Sequence, residues 1–133
     1  MINPSLFLRR TLQADAIFSG VAALLFVFGA ELFAALTNLP EAFLRETGFV
    51  LMVYAALVGF LGTRPMMPVP AVRAVIGVNA AWVVGSVALL VSGWGAPNLF
   101  GQALIVMQTI AVGAFAELQF MGLRRSTTAG EAH

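Results

Sequence analysis

The chain has no cysteine and no lysine, a single histidine at its last position, and charged residues at only 10% of its 133 positions. Without cysteine there are no disulfides, no thiolate nucleophiles and no thiolate-bound metals. With His133 as the sole imidazole, paired-histidine haem ligation inside a membrane is excluded. No glycine-rich phosphate loop, nucleophile–base pair or metal-ligand spacing occurs. Met66-Met67 lies in a proline-rich loop and reads as loop rather than as a copper(I) site. The expectation is a protein with no metal, no cofactor and no enzymatic activity. The net charge of +1 gives no reason to expect nucleic acid as a partner.

What remains is apolar. Hydrophobic residues make up 60% of the chain and the mean hydropathy is +0.94, far from the mix of a soluble domain. Segments 16–30, 47–63, 74–92 and 99–116 contain no Asp, Glu or Arg. A bilayer core about 30 Å thick takes roughly 20 helical residues to cross. The unbroken runs exclude the alternation of a membrane β-barrel. The pattern therefore predicts an all-α fold, a transmembrane four-helix bundle in one domain, residues 1–125. Its spans are expected at about 12–36, 45–63, 71–92 and 98–123, followed by a polar, disordered tail at 126–133. Arg9-Arg10 ahead of an apolar run resembles an export signal. A cut after Ala30 would put Phe28 at −3, so the segment is expected to stay as a span.

Arginines set the expected orientation. Arg9, Arg10, Arg64, Arg73, Arg124 and Arg125 fall on one side and Arg45 alone on the other. The positive-inside rule then predicts both termini in the cytoplasm. That makes the chain a multi-pass protein of a bacterial inner membrane, with Trp94 at the outer interface.

Membrane helices pack through small residues that let backbones approach. The expected interior stripes are Gly48, Met52, Ala55, Gly59 and Gly62 in the second span and Gly77, Ala81, Gly85 and Ala88 in the third. In the fourth they are Gln102, Val106, Thr109, Gly113 and Glu117. Polar residues in spans are costly and mark candidate sites. Asp15 with Ser19, Asn79 with Trp82 and Ser86, and Gln108, Thr109 and Glu117 are the candidates for a ligand site or polar path. Asp15, Asn79 and Glu117 are expected to converge in one half of the bilayer. Glu31, sixteen residues after Asp15, falls on a different face at about 100° per residue. It and Arg45 are the candidate partner contacts, and Arg45 is its expected counter-ion.

Val78-Asn79-Ala80-Ala81-Trp82 with Ser86, and Phe115-Ala116-Glu117-Leu118-Gln119 followed by Gly122-Leu123-Arg124-Arg125, resemble small four-span bacterial inner-membrane proteins of unknown function. The resemblance implies a bundle and transfers no activity. Small multidrug resistance transporters share the size and an acid in span 1. The arginine bias here, however, specifies one orientation, and their aromatic signature is missing. The expected function is that of an accessory or scaffold subunit docking on a larger membrane complex. A small oligomeric transporter or channel is the alternative, and a lipid-binding protein or membrane enzyme the second. Expected partners are the lipid bilayer and either another membrane protein or a second copy.

Overall fold

Serine at position 5 starts the first helix. Its hydroxyl accepts from the Leu8 amide at 3.1 Å, an N-cap that satisfies one of the orphan donors of the first turn. In the computed structural model, which describes residues 1–128, helix α1 runs over Leu6–Phe28. The short α2 covers Ala30–Thr37, and α3 covers Glu41–Thr63. Helix α4 is Val69–Ser92 and α5 is Leu99–Arg124. Two-residue strands, β1 (Ile2–Asn3) and β2 (Thr127–Thr128), pair antiparallel.

The first span thus begins six residues earlier than expected and is interrupted. The break falls at Gly29, where only glycine fits: a Cβ there would stand 2.6 Å from the Leu25 carbonyl oxygen. Its amide still reaches that oxygen at 2.7 Å, so the chain bends without wasting the donor. A second consequence concerns Asp15. It lies about two and a half turns into α1 at 3.6 residues per turn, deeper than a span starting at about 12 implies.

Helices α1, α3, α4 and α5 are each long and apolar enough to cross a membrane, and they pack together as one all-α bundle. The exterior is as apolar as the interior. Phe28, Val91 and Leu99 are more than 80% exposed. A shell of this kind suits lipid, where exposed apolar surface carries no penalty. The chain is a multi-pass membrane protein.

Helix α1 packs on α3 through small residues. Ala16 faces Gly59, Gly20 faces Ala55, and a Cβ at Gly48 would stand 2.8 Å from Val27. Helix α5 meets α1 just as closely, since a Cβ at Gly122 would lie 2.8 Å from the Leu8 Cα. The second-span stripe therefore does face inward at Gly48, Ala55, Gly59 and Gly62, while Met52 is exposed. The third-span ladder does not. Gly77, Ala81, Gly85 and Ala88 are all exposed, and nothing lies within 4 Å of a Cβ built on Gly77 or Gly85. Helix α4 buries Val72, Val75, Asn79 and Ser86 instead. Helix α5 buries Gly101, Ile105, Val112, Gln119 and Gly122. Of the stripe expected there, Gln102, Val106 and Glu117 are exposed.

Both ends are fastened by polar clasps. At the terminal end the Ile2 amide donates to Met67 at 2.7 Å and the Met67 amide returns a bond at 3.0 Å. Arg9 donates to the Gly62 and Arg64 carbonyls, each at 2.7 Å. Ser5 and Ser126 both donate to the Gly122 carbonyl. At the start of the expected tail, Ser126 and β2 have these partners. Residues 129–133 of the expected tail lie outside the described residues. At the opposite end Asn98 reaches the Leu36 and Thr37 carbonyls, and Asn38, in the left-handed region at φ 63°, donates to Ala96.

Candidate functional site

Four spans deliver polar side chains to one level of the bundle. Asp15 is nine residues into α1, Tyr54 nine before the end of α3 and Asn79 ten into α4. At 1.5 Å per residue each stands about 14–15 Å from the terminal end of its helix. Gln119, five residues before the end of α5, reaches up to the same level.

The carboxylate of Asp15 is the hub. Its Oδ1 accepts from Ser19 at 3.1 Å. Its Oδ2 accepts from Tyr54 Oη at 2.6 Å, Asn79 Nδ2 at 3.0 Å and Gln119 Nε2 at 2.7 Å. Asn79 Nδ2 also donates to Gln119 Oε1 at 2.8 Å. Tyr54 carries one hydroxyl proton and faces two oxygens, Asp15 Oδ2 at 2.6 Å and Asn79 Oδ1 at 2.9 Å. The carboxylate contact is the shorter. Asp15, Asn79 and Gln119 are 2%, 4% and 0% exposed. An acid at the bilayer centre costs about 2.5–3.5 kcal/mol on insertion scales. Hydrogen bonds between membrane helices return about 0.6 kcal/mol each on average and up to about 1.7, so four donors together offset that cost. Among the described residues no buried side-chain nitrogen or oxygen lacks a partner.

A second polar group belongs to one hairpin. Trp82 Nε1 donates to Gln108 Oε1 at 2.8 Å, and Gln108 Nε2 donates to Ser86 Oγ at 2.8 Å. Thr109 accepts from Gln108 at 3.0 Å and donates to the Ile105 carbonyl at 2.6 Å. All of these residues sit on α4 and α5.

The eight candidate polar residues therefore divide. Asp15, Ser19 and Asn79 meet in the first network, and Trp82, Ser86, Gln108 and Thr109 meet in the second. Glu117 joins neither. It is exposed, because Gln119, two residues on and about 200° around the helix, occupies the inward face. The convergence expected for Asp15, Asn79 and Glu117 thus involves Gln119 in place of the acid. Glu31 is exposed at the start of α2. Arg45 is not its counter-ion: Arg45 bridges Glu41, one turn away, at 2.7 Å. No cluster of three or more His, Cys, Asp or Glu suited to a metal occurs among the described residues.

Sequence reasoning missed Tyr54 and Gln119. Tyr54 had one signal: it is the sole tyrosine and lies mid-span, away from the interfacial belt that membrane tyrosines prefer. Gln119 had another, a seven-residue step from Ile105 through Val112 along the buried face of α5.

No family model, curated protein or solved structure matches the chain. No family is identified, and the reading of function rests on the molecule itself.

Proposed function

We propose that this chain is an accessory or scaffold subunit that docks laterally on a larger membrane complex, with both termini on the cytoplasmic side of a bacterial inner membrane. The observation that carries the reading is the Asp15 network. The side chains that would line a polar path instead bind one another, and they fix four spans in a single arrangement. A bundle locked from within has its outer faces free for other proteins. The uncovered face of α4 suits such a contact, since Gly77, Ala81, Gly85 and Ala88 would let a partner backbone approach closely. Six arginines at the end that holds the termini support the orientation.

Site-directed photo-crosslinking in native membranes tests this. A crosslinker at Gly77 or Gly85 is expected to give one discrete heavier adduct with another protein. The same group at Leu57, exposed on α3, is expected to give none. Adducts of the same mass from both faces, or none from α4, would contradict lateral docking.

One observation favours the alternative of a small oligomeric transporter. A single carboxylate is bonded by side chains from all four spans, so a change at Asp15 would be felt by every helix. Flux in liposomes that depends on Asp15 and survives removal of all other proteins would establish that reading instead.

A further inference from the structure

We propose that the cleft between the start of α4 and the end of α5 binds the phosphate of an anionic phospholipid, held by Arg73 and Arg124. The cleft measures about 500 Å³ and lies at the arginine-rich end, within the 300–1,000 Å³ range of ligand sites. Both arginines line it, and both are exposed to an incoming group. Neither guanidinium has a carboxylate partner among the described residues. Arg73 has no side-chain hydrogen bond there either, while Arg124 rests at 5.8 Å over the Phe120 ring. Of the other arginines at this end, Arg9 bonds two carbonyls, Arg64 and Arg125 lie closer, at 4.7 and 4.8 Å, over Phe60 and Phe7, and Arg10 does not line the cleft.

The backbone around the cleft suits an anion. Helix α4 begins here, and its first residue, Val69, lines the cleft, so the positive end of its dipole lies at the site. Three of the four opposing carbonyls at the end of α5 are already occupied. Met121 accepts from the Arg125 amide, Leu123 from the Ser126 amide, and Gly122 from Ser5 and Ser126. Planar guanidinium groups bind phosphate oxygens two at a time. Ile76, Phe120 and Leu123 supply apolar wall below the arginines. A free phosphate gains nothing from that wall, whereas an acyl chain does. Basic clefts between spans on the cytoplasmic side are a recurrent form of headgroup site.

The test uses the full chain in neutral detergent, doped equally with phosphatidylglycerol and phosphatidylcholine of matched chains, and native mass spectrometry of the bound lipid. One phosphatidylglycerol is expected to be retained in preference to phosphatidylcholine. At about 1 kcal/mol per arginine, Arg73→Gln and Arg124→Gln should each lower that preference about fivefold, and both together about thirtyfold. Arg10→Gln, at the same end outside the cleft, should leave it unchanged. Millimolar inorganic phosphate should not displace the lipid. The pair Arg73→Lys and Arg124→Lys, which keeps the charge and loses the bidentate fork, should retain more of the preference than the double glutamine variant and less than the native chain. An unchanged ratio in the double glutamine variant, an equal fall with Arg10→Gln, or displacement by inorganic phosphate would each overturn the assignment.

Discussion

The two polar networks differ in what they connect. The Trp82–Ser86–Gln108–Thr109 group joins two helices that are neighbours in sequence, a hairpin that a short turn already holds together. The Asp15 network joins α1, α3, α4 and α5, with partners up to 104 residues apart. Local bonds stabilise a hairpin, whereas long-range bonds choose one arrangement of all four spans. In lipid this choice matters, because apolar contacts alone discriminate poorly between packings. Polarity in this bundle specifies tertiary structure at one level and merely secures a helix pair at another.

The sharpest way to break the comparison is to empty the hub. Asp15→Ala leaves donors on Ser19, Tyr54, Asn79 and Gln119 without their acceptor. It should cost about 3 kcal/mol or more, read as a fall in the midpoint of thermal unfolding in detergent. Gly122→Ala comes next. The new methyl meets the Leu8 backbone rather than a flexible tip, so a loss of about 1–3 kcal/mol is expected in the same assay. Asn79→Ala and Gln119→Leu each remove one arm of the hub and should cost about 1 kcal/mol. Gln108→Leu should cost about 0.6 kcal/mol, near the mean for membrane hydrogen bonds. It should also blue-shift or quench Trp82 fluorescence while leaving the Asp15 network intact. Smallest of all, Gly77→Ala and Gly85→Ala should change the stability of the isolated chain by less than about 0.5 kcal/mol. If the outward ladder were packed inside the bundle, those two changes would cost as much as Gly122→Ala.

The four spans were legible because charge is excluded from hydrocarbon and its absence marks each crossing. Which face of each span points inward was harder to read, for the same physical reason. Lipid and core are equally apolar, so Val, Leu and Ala carry little directional information. Small residues misled on α4, where Gly77 and Gly85 face outward, and informed on α3, where Gly48 and Gly62 meet α1. Asp15, Ser19 and Asn79 were readable as unusual because they are polar within apolar spans, although a start at about 12 places Asp15 too near the edge of its span. Tyr54 and Gln119 carried weaker signals: a lone tyrosine in mid-span, and a seven-residue step whose buried face shows only in the packed bundle. The break at Gly29 was hidden because the apolar run continues straight across it.

Coupling between distant members of the hub tests the central claim most directly. A double-mutant cycle with Asp15→Ala and Gln119→Leu, read by equilibrium unfolding in mixed micelles, isolates the bond between α1 and α5. A coupling energy of at least about 1 kcal/mol is predicted. Additivity to within about 0.3–0.5 kcal/mol would show that the two side chains act independently and would contradict a carboxylate hub that locks the four spans.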